Sequence, residues 1–259
     1  MRQGIVNVKI LVTFAVEPEF APWRRLRSFQ RVSGLPFAAY EAASENATLR
    51  VVLTGMGPSH ARRVAAAALD WNPDVCISSG LAGSLRPVHR IGAIFAAREV
   101  MELEGGRTIG SASSLLRQAE SRGARLIDRL LSSKDLVATA DAKSRLARMA
   151  DAVDMESFAV LAEASARKIP AVAIRAVSDA AGEAMPLDFS RALDATGHLA
   201  ASKLAFAVAR APHKLPGLIR LGRNSRRAAS ALAAFLDSFV AGLSELPSRP
   251  VEHVEAVRA

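Results

Sequence analysis

Asp154, Met155 and Glu156 place two carboxylates around a methionine, where a short apolar segment passes into an alanine-rich stretch. An acidic residue in the first turn of a helix is stabilised by the helix dipole, which is a sufficient reason for Asp154. Glu156 precedes a long apolar helix and could instead point into a cleft. A carboxylate can accept hydrogen bonds from two adjacent hydroxyl groups, as in the 2′,3′-diol of a ribose. The segment therefore predicts a sugar-binding site.

A second charged group lies in and after the apolar segment at residues 171–177, which contains Arg175 and is followed by Asp179. A charge in a buried strand is costly unless it is paired. Arg175 therefore predicts either a structural ion pair with one of the carboxylates or a site for an anion or water. A carboxyl group held among other carboxylates and away from water can keep its proton near neutral pH, which makes Asp179 a candidate acid.

Glu17 and Glu19 follow the first apolar segment of the chain. Two acids at the end of a strand are often solvated loop residues. One of them could instead be a general base above the same cleft. The sequence leaves both interpretations open.

Two glycine-containing turns follow the next predicted strands, one at Gly55 and Gly57 and one from Gly80 to Gly83. The first lacks the third glycine of a dinucleotide-binding loop, because His60 occupies that position. Each turn can be a tight connection, or it can let the backbone approach a ligand closely. Together they could form a shallow floor under a flat ligand.

Apolar runs and helical periodicity define the elements that position these residues. Strands are predicted at residues 8–16, 49–53, 75–78, 91–100 and 171–177, and helices at 59–69, from 156 to about 168 and at 228–243. Alternating strands and helices predict an α/β fold with a mostly parallel sheet, whose ligand lies at the carboxyl ends of the strands.

Composition narrows the class of protein. Half of the 259 residues are apolar and 23% are charged, as in ordinary globular proteins. A single cysteine, Cys76, favours a reducing cytoplasm, and the N-terminus has no signal-peptide pattern. The five histidines show no metal-ligand spacing, so no metal is expected. No run of about 18 uncharged apolar residues predicts a membrane span.

The net charge is +9, and the excess lies towards the C-terminus, where no acidic residue occurs between Ala195 and Leu236. We predict a main domain at residues 1–210 and a basic helical extension at 211–259. The basic residues from Lys203 to Arg227 could rest on an anionic membrane surface. A solvated extension packed on the domain is the simpler alternative. No aromatic residues interleave with the basic residues from Arg220 to Arg227, so nucleic-acid binding is not expected.

The segments KILVTFAVEPEF, TGMG, PDVCISSGLAGSL, VDMES and IPAVAIRAVSD, in this order and spacing, resemble the nucleoside phosphorylase and nucleosidase superfamily. The resemblance covers about residues 8–200 and implies a three-layer α/β fold with a mostly parallel or mixed central sheet of phosphorylase type. Its branches include methylthioadenosine/S-adenosylhomocysteine nucleosidases and hopanoid-associated phosphorylases. The VDMES, AGEAMPLDF and LPGLIRLGR segments are most similar to the hopanoid-associated branch.

The resemblance implies roles for the acids. Asp179 matches the aspartate that gives a proton or hydrogen bond to purine N7. Glu156 matches the glutamate that binds the ribose hydroxyls, and Met155 packs on the sugar. Glu19, rather than Glu17, matches the glutamate that activates the attacking water of the nucleosidases.

It also implies roles for the residues around these acids. Val137 matches a position whose backbone binds the purine edge, while Leu136 replaces the usual stacking phenylalanine. Arg175 lies near the nucleophile, with the Gly57 backbone as a further phosphate contact. Gly80 belongs to the substrate-binding turn. The residue after it, Leu81, replaces a serine that contacts the nucleophile in many relatives, which leaves water and phosphate both open.

The resemblance implies cleavage of the N-glycosidic bond of a purine nucleoside, such as a 5′-substituted adenosine like adenosylhopane, by phosphorolysis. The alternatives are a hydrolytic methylthioadenosine/S-adenosylhomocysteine-type nucleosidase and a non-catalytic nucleoside-binding relative. No cofactor is expected beyond inorganic phosphate as co-substrate of a phosphorylase. We also predict a cytoplasmic homo-oligomer, preferably a dimer. Its basic segment is predicted to contact membranes peripherally.

Overall fold

The computed structural model describes residues 7–44, 46–186 and 211–243. Within these ranges the chain forms ten strands and six α-helices. The strands are β1 (Val8–Phe14), β2 (Gln30–Val32), β3 (Ala39–Ser44), β4 (Ala47–Leu53), β5 (Val75–Ser84), β6 (Ile94–Glu102), β7 (Thr108–Gly110), β8 (Arg125–Ser132), β9 (Ala152–Asp154) and β10 (Ala171–Asp179). The helices are α1 (Glu17–Leu26), α2 (Pro58–Leu69), α3 (Ser113–Ser121), α4 (Ala140–Leu146), α5 (Ser157–Ala166) and α6 (Leu215–Leu243).

All ten strands belong to one mixed sheet. Its centre is parallel, with β1 between β4 and β5, and β10 parallel to β5 on the other side. The path β10-β6-β8-β9-β5-β1-β4-β3-β2 curls so far that its first strand, β10, also pairs with β5. Five strands, β5, β10, β6, β8 and β9, thus form a closed circuit, and the other strands extend from it.

Helices cover both faces of the sheet, because residues of a strand alternate between its two sides. In β1, Ile10 and Val12 pack in the core that contains α1, α3 and α6, whereas Leu11 packs in the core that contains α2 and α5. The expected three-layer α/β fold with a mixed central sheet is confirmed. The buried residues on both faces explain why these strands read as continuous apolar runs.

The observed elements differ from the predicted ones at several places, and β2 and β3 were not predicted at all. β5 continues from Val75 to Ser84, so the turn predicted at Gly80 to Gly83 is strand, in which Gly80 adopts a φ of +145°. Glu17 and Glu19 are not loop residues, because they form the first turn of α1. The polar region from residue 104 to 150, for which no elements were predicted, contains β7, β8, α3 and α4.

The C-terminal helix α6 is packed against the main body. Pro216 lies in the first turn of the helix, where proline is tolerated. Leu232 and Phe239 are buried in the core shared with β1 and α1. Asp237 accepts a hydrogen bond of 3.1 Å from Nε1 of Trp23. The domain boundary at residues 210 and 211 stays a prediction.

No helix within the described ranges is long and apolar enough to span a membrane. The basic residues of α6 in this part of the chain, including Arg220 and Arg223, lie on its exposed side. Lys203 and Arg210 lie outside the described residues.

Candidate active site

A cleft opens at the carboxyl ends of β1, β5 and β10, where ligand sites of open α/β sheets are found. Five of the residues predicted from the sequence line it directly: Glu19, Val137, Met155, Glu156 and Asp179. Gly57, Gly80 and Arg175 lie just behind this lining and contact it. The structure therefore brings all eight predicted site residues together.

Arg175 forms the ion pair that its burial requires. Its side chain is 2% exposed, and its Nε and Nη2 lie 2.8 and 2.6 Å from the same oxygen, Oδ2 of Asp154. Nη2 also donates to Oγ of Ser78 over 3.1 Å. Asp154 Oδ2 in addition accepts the amide of Ser157 at 3.1 Å, at the start of α5. Oδ2 of Asp154 therefore binds Arg175 and the N-terminus of α5, and it is not available to a ligand.

Gly80 allows Arg175 and Glu19 to approach each other. A Cβ added at Gly80 would lie 3.1 Å from Arg175 Nη1 and 3.1 Å from Glu19 Oε2, and the φ of +145° is itself unfavourable for any other residue. Nη1 of Arg175 is buried and makes no hydrogen bond within the described part of the protein. It is therefore a donor beside the cleft that can meet a ligand oxygen.

Glu19 reaches the polar end of the cleft from the first turn of α1. Its Oε2 accepts the amide of Ala15 at 3.0 Å, and its Oε1 accepts the amide of Leu81 at 3.1 Å. Burial raises the pKa of Glu19, and the charge of Arg175 opposes this rise. Glu17 instead lies 3.0 Å from Arg24 on its own helix and does not line the cleft. Of the two acids, Glu19 is the one in position to act on a ligand.

Glu156 closes the same end of the cleft. Its Oε1 accepts the amide of Gly57 at 2.8 Å, where Gly57 has a φ of +92° and starts α2. Burial and the neighbouring charge of Asp154 raise the pKa of Glu156 to about 8, against the opposing effect of Arg175. The second oxygen of Glu156 is left for hydroxyl groups of a ligand, beside the side chain of Met155.

Asp179 has a different environment from the one expected. It was expected among carboxylates, but its Oδ2 forms an ion pair with Nζ of Lys143. Both side chains are nearly inaccessible, and Ser178 Oγ lies 2.8 Å from Asp179 Oδ1. The carboxylates cluster instead around Arg175. Lys143 was missed because a lysine in the polar segment of α4 has the pattern of a surface residue.

The far end of the cleft is apolar. Leu136 and Val137 line it together with Met185, and no aromatic side chain belongs to the lining of the cleft within the described residues. The amide of Met185 donates to the carbonyl of Ala138 over 2.7 Å, which joins the segment after β10 to the segment before α4. Such a surface can cover the face of a flat base through aliphatic and thioether contacts. Among the described residues no cluster of His, Cys, Asp and Glu is arranged to hold a metal ion.

Comparison with known proteins agrees with this architecture. A family model described as the phosphorylase superfamily matches residues 9–211. A futalosine hydrolase mutant of Helicobacter pylori strain 26695 has a TM-score of 0.70 at 18% identity, covering 91% of this chain and 99% of its own. A point mutant of the H. pylori nucleosidase MTAN, with 5′-methylthioadenosine in its active site, gives 0.69 at 18% identity, covering 92% and 100%.

A third similar structure is the 5′-methylthioadenosine/S-adenosylhomocysteine nucleosidase of Neisseria meningitidis in complex with methylthio-immucillin-A. Its TM-score is 0.69 at 20% identity, and the match covers 90% of this chain and 99% of that one. The comparison with curated proteins found no match. The family model spans well over half of the chain, and its range contains every residue of the cleft. The protein therefore belongs to the phosphorylase superfamily.

Proposed function

We propose that the protein cleaves the N-glycosidic bond of a purine nucleoside. The observation that carries this proposal is the meeting of three acids in one cleft, with Glu19 and Glu156 at its polar end and Asp179 beside its apolar end. A nucleoside has the matching distribution of groups, since its sugar is polar and its base is flat and largely apolar.

The sugar would lie at the polar end. The free oxygen of Glu156 would accept hydrogen bonds from the ribose hydroxyls, while Gly57 holds the other oxygen in place. Met155 would pack against the sugar ring. Positive charge develops at C1′ as the bond to the base breaks, and the carboxyl oxygens at this end would stabilise it.

The base would lie against Leu136, Val137 and Met185. Here Asp179 would deliver a proton or hydrogen bond to N7, so that the base leaves as a neutral molecule. The backbone of Val137 would bind the purine edge. In one of the similar structures, the H. pylori nucleosidase, the active site holds 5′-methylthioadenosine.

Water is the better supported nucleophile. Glu19 stands beside the cleft, and its raised pKa makes it a stronger base than an exposed glutamate. Asp154 already neutralises the guanidinium of Arg175, which leaves little positive charge to attract inorganic phosphate, and the side chain of Leu81 can bind neither nucleophile. Phosphorolysis, which the sequence favoured, remains the second candidate, because Nη1 of Arg175 is a donor suited to a phosphate oxygen.

A product assay with purified protein tests these proposals. Incubation with adenosine and with 5′-methylthioadenosine should release adenine at the same rate with and without phosphate, and free ribose or its 5′-derivative should accumulate. Strict dependence on phosphate, with ribose 1-phosphate as the second product, would reverse the choice of nucleophile. Binding of the nucleoside by calorimetry without release of the base would establish the non-catalytic alternative.

We further propose that the substrate carries a large 5′-substituent, such as the lipid of adenosylhopane, and that the protein is a cytoplasmic homodimer meeting membranes peripherally. The supporting observation is that α6 begins with exposed apolar residues, Leu215 and Ile219, next to exposed Lys214 and Arg220. Such a surface is attracted to anionic headgroups by about 1 kcal/mol per basic residue. Co-sedimentation with phosphatidylserine vesicles at low salt tests the membrane contact, and light scattering tests the dimer.

A further inference from the structure

Lys143 makes a buried network around Asp179 that the proposed roles of the acids leave unexplained. Its side chain is 1% exposed. Besides the ion pair with Asp179, Nζ donates to the carbonyl of Ala180 at 2.9 Å and to the carbonyl of Glu183 at 3.0 Å. An ammonium group has three N–H donors, and all three are used here. Lys143 also belongs to the lining of the cleft.

The consequence for Asp179 is chemical. One of its oxygens faces the ammonium group of Lys143 and the other lies 2.8 Å from the hydroxyl of Ser178. A carboxylate between these two donors is an acceptor at both oxygens. In this arrangement the acidic proton nearest to the base is the one on Lys143.

We propose that Lys143 supplies, through Asp179, the proton that the departing base requires. As the bond between C1′ and N9 breaks, its electron pair passes into the purine ring and makes N7 more basic. Asp179 transfers a proton to N7 and receives one from Lys143, which becomes a neutral amine. The nucleophile gives an electron pair to C1′, and its own proton passes to Glu19 when the nucleophile is water. A proton from solvent then restores the ammonium group.

Because it acts through Asp179, Lys143 is a positioning residue, which holds both the carboxylate and its proton. This inference rests on the proposed N-glycosidic cleavage. The cost of a buried lysine supports it, since a buried ammonium group is retained only where it is paired. A purely structural tie between α4 and the segment after β10 would need no proton that can leave, and this distinction can be measured.

Several other charged groups surround the pair and define the background of its pH dependence. Glu183 Oε2 accepts the amide of Ala180 at 3.3 Å, and its Oε1 lies 3.5 Å from Arg220 of α6. On α4, Asp141 and Arg145 pair with each other in exposed positions. The remaining charged groups of the cleft are Asp135 on the same side and Glu19, Asp154, Glu156 and Arg175 on the other.

A double-mutant cycle tests the proposal. It comprises Lys143→Met, Asp179→Asn and the double variant, and the measured quantities are kcat and KM for release of the base. Lys143→Met should lower kcat at pH 7 by about 10²-fold and change KM little, since general acids contribute this much or more. In the Asp179→Asn background the same change should have almost no further effect, because the two residues act as one unit. Lys134→Met, at an exposed lysine, is the matched control and should leave kcat unchanged.

The pH profile separates proton supply from structure. Lys143→Met should recover turnover towards acidic pH, where Asp179 carries its own proton, whereas the wild-type enzyme stays active at neutral pH. Lys143→Arg keeps the positive charge but holds its proton at every accessible pH, so it should fold and still turn over slowly. Fast turnover by Lys143→Arg, equal losses in both backgrounds, or an unchanged profile shape would overturn the proposal. A wild-type protein that releases no base would instead refute the proposed function, and this inference with it.

Discussion

The cleft contains two clusters of ionisable residues that differ in the number of carboxyl groups for each cation. The sugar-side cluster comprises Arg175, Asp154, Glu156 and Glu19, so that three carboxylates share one guanidinium. The base-side pair, Lys143 and Asp179, has one cation for one carboxylate. The first group has more carboxyl groups than cations, and the second has equal numbers of each.

In the proposed reaction, this difference would set the direction in which protons move. In the sugar-side cluster, burial raises the pKa values of Glu19 and Glu156, and the charge of Asp154 adds to the rise at Glu156, so these groups take up and hold protons readily. In the base-side pair, the lysine holds a proton that its partner can pass on. A reaction that removes a proton from the nucleophile and gives one to the leaving group needs both properties in one cleft.

The largest effect on kcat is expected when the carboxylate of the base-side pair is replaced. Asp179→Asn should lower kcat for release of a purine base by about 10²–10⁴-fold, because an amide cannot pass a proton to N7. Nucleoside binding, measured by calorimetry, should change less than kcat. Asp141→Asn on the exposed side of α4 serves as the control. Turnover within about threefold of the wild type would remove Asp179 from the mechanism.

Removing the guanidinium of Arg175 from the sugar-side cluster should lower the free energy of unfolding. Arg175→Met leaves Asp154 as a buried carboxylate without its partner, which costs about 3–5 kcal/mol of the free energy of unfolding. Urea denaturation of Arg175→Met, with the exposed Arg145→Met as control, measures this loss. A loss below about 1 kcal/mol would show that the fold does not depend on the ion pair between Arg175 and Asp154.

The carboxylate surplus also predicts how stability depends on pH. The pKa of Glu156 rises from 4.5 to about 8 on folding, so between these values the folded state binds a proton that the unfolded state has released. Stability should therefore fall as pH rises from about 5 to 8, with a slope of up to about 1.4 kcal/mol per pH unit from this group. Glu156→Gln should lose this slope, which thermal melting at several pH values can detect. An equal slope in Glu156→Gln would place its origin elsewhere.

The smallest effect on stability is expected from a substitution at Gly80. Gly80→Ala brings a Cβ within 3.1 Å of both Arg175 and Glu19 at a φ of +145°. The backbone strain alone should cost about 1–3 kcal/mol of stability. Gly110→Ala is a mild control, since its nearest neighbour would lie at 3.9 Å. If Gly80→Ala melts like the wild type but turns over more slowly, the glycine serves the approach of the two charges rather than the fold.

The elements that could be predicted from sequence are those buried on both faces. β1, β4, β5 and β10 have runs of apolar residues that leave little choice of structure, and α2, which follows β4, begins within one residue of the predicted position. Elements between residues 104 and 150 were missed because they mix polar and apolar residues. The continuation of β5 through Gly80 was missed because a glycine pair in sequence resembles a turn.

The candidate site divides in the same way. Glu19, Glu156 and Asp179 could be located because each follows a recognisable element. The partner of Asp179 could not, because Lys143 is 36 residues away, on a short polar helix whose position depends on tertiary packing. The ordinary signal of a buried lysine, an apolar surrounding sequence, is absent from α4.

The closed circuit of five strands restricts how copies of this chain can associate. Within the described residues only β2 and β7 have a single neighbouring strand, and each is three residues long. Short edge strands are poor templates for strand addition from a second molecule, and β2 carries exposed Gln30 and Arg31 as a further obstacle. A dimer of this protein should therefore form through helices and loops, leaving its intermolecular contacts free of continuous β-sheet.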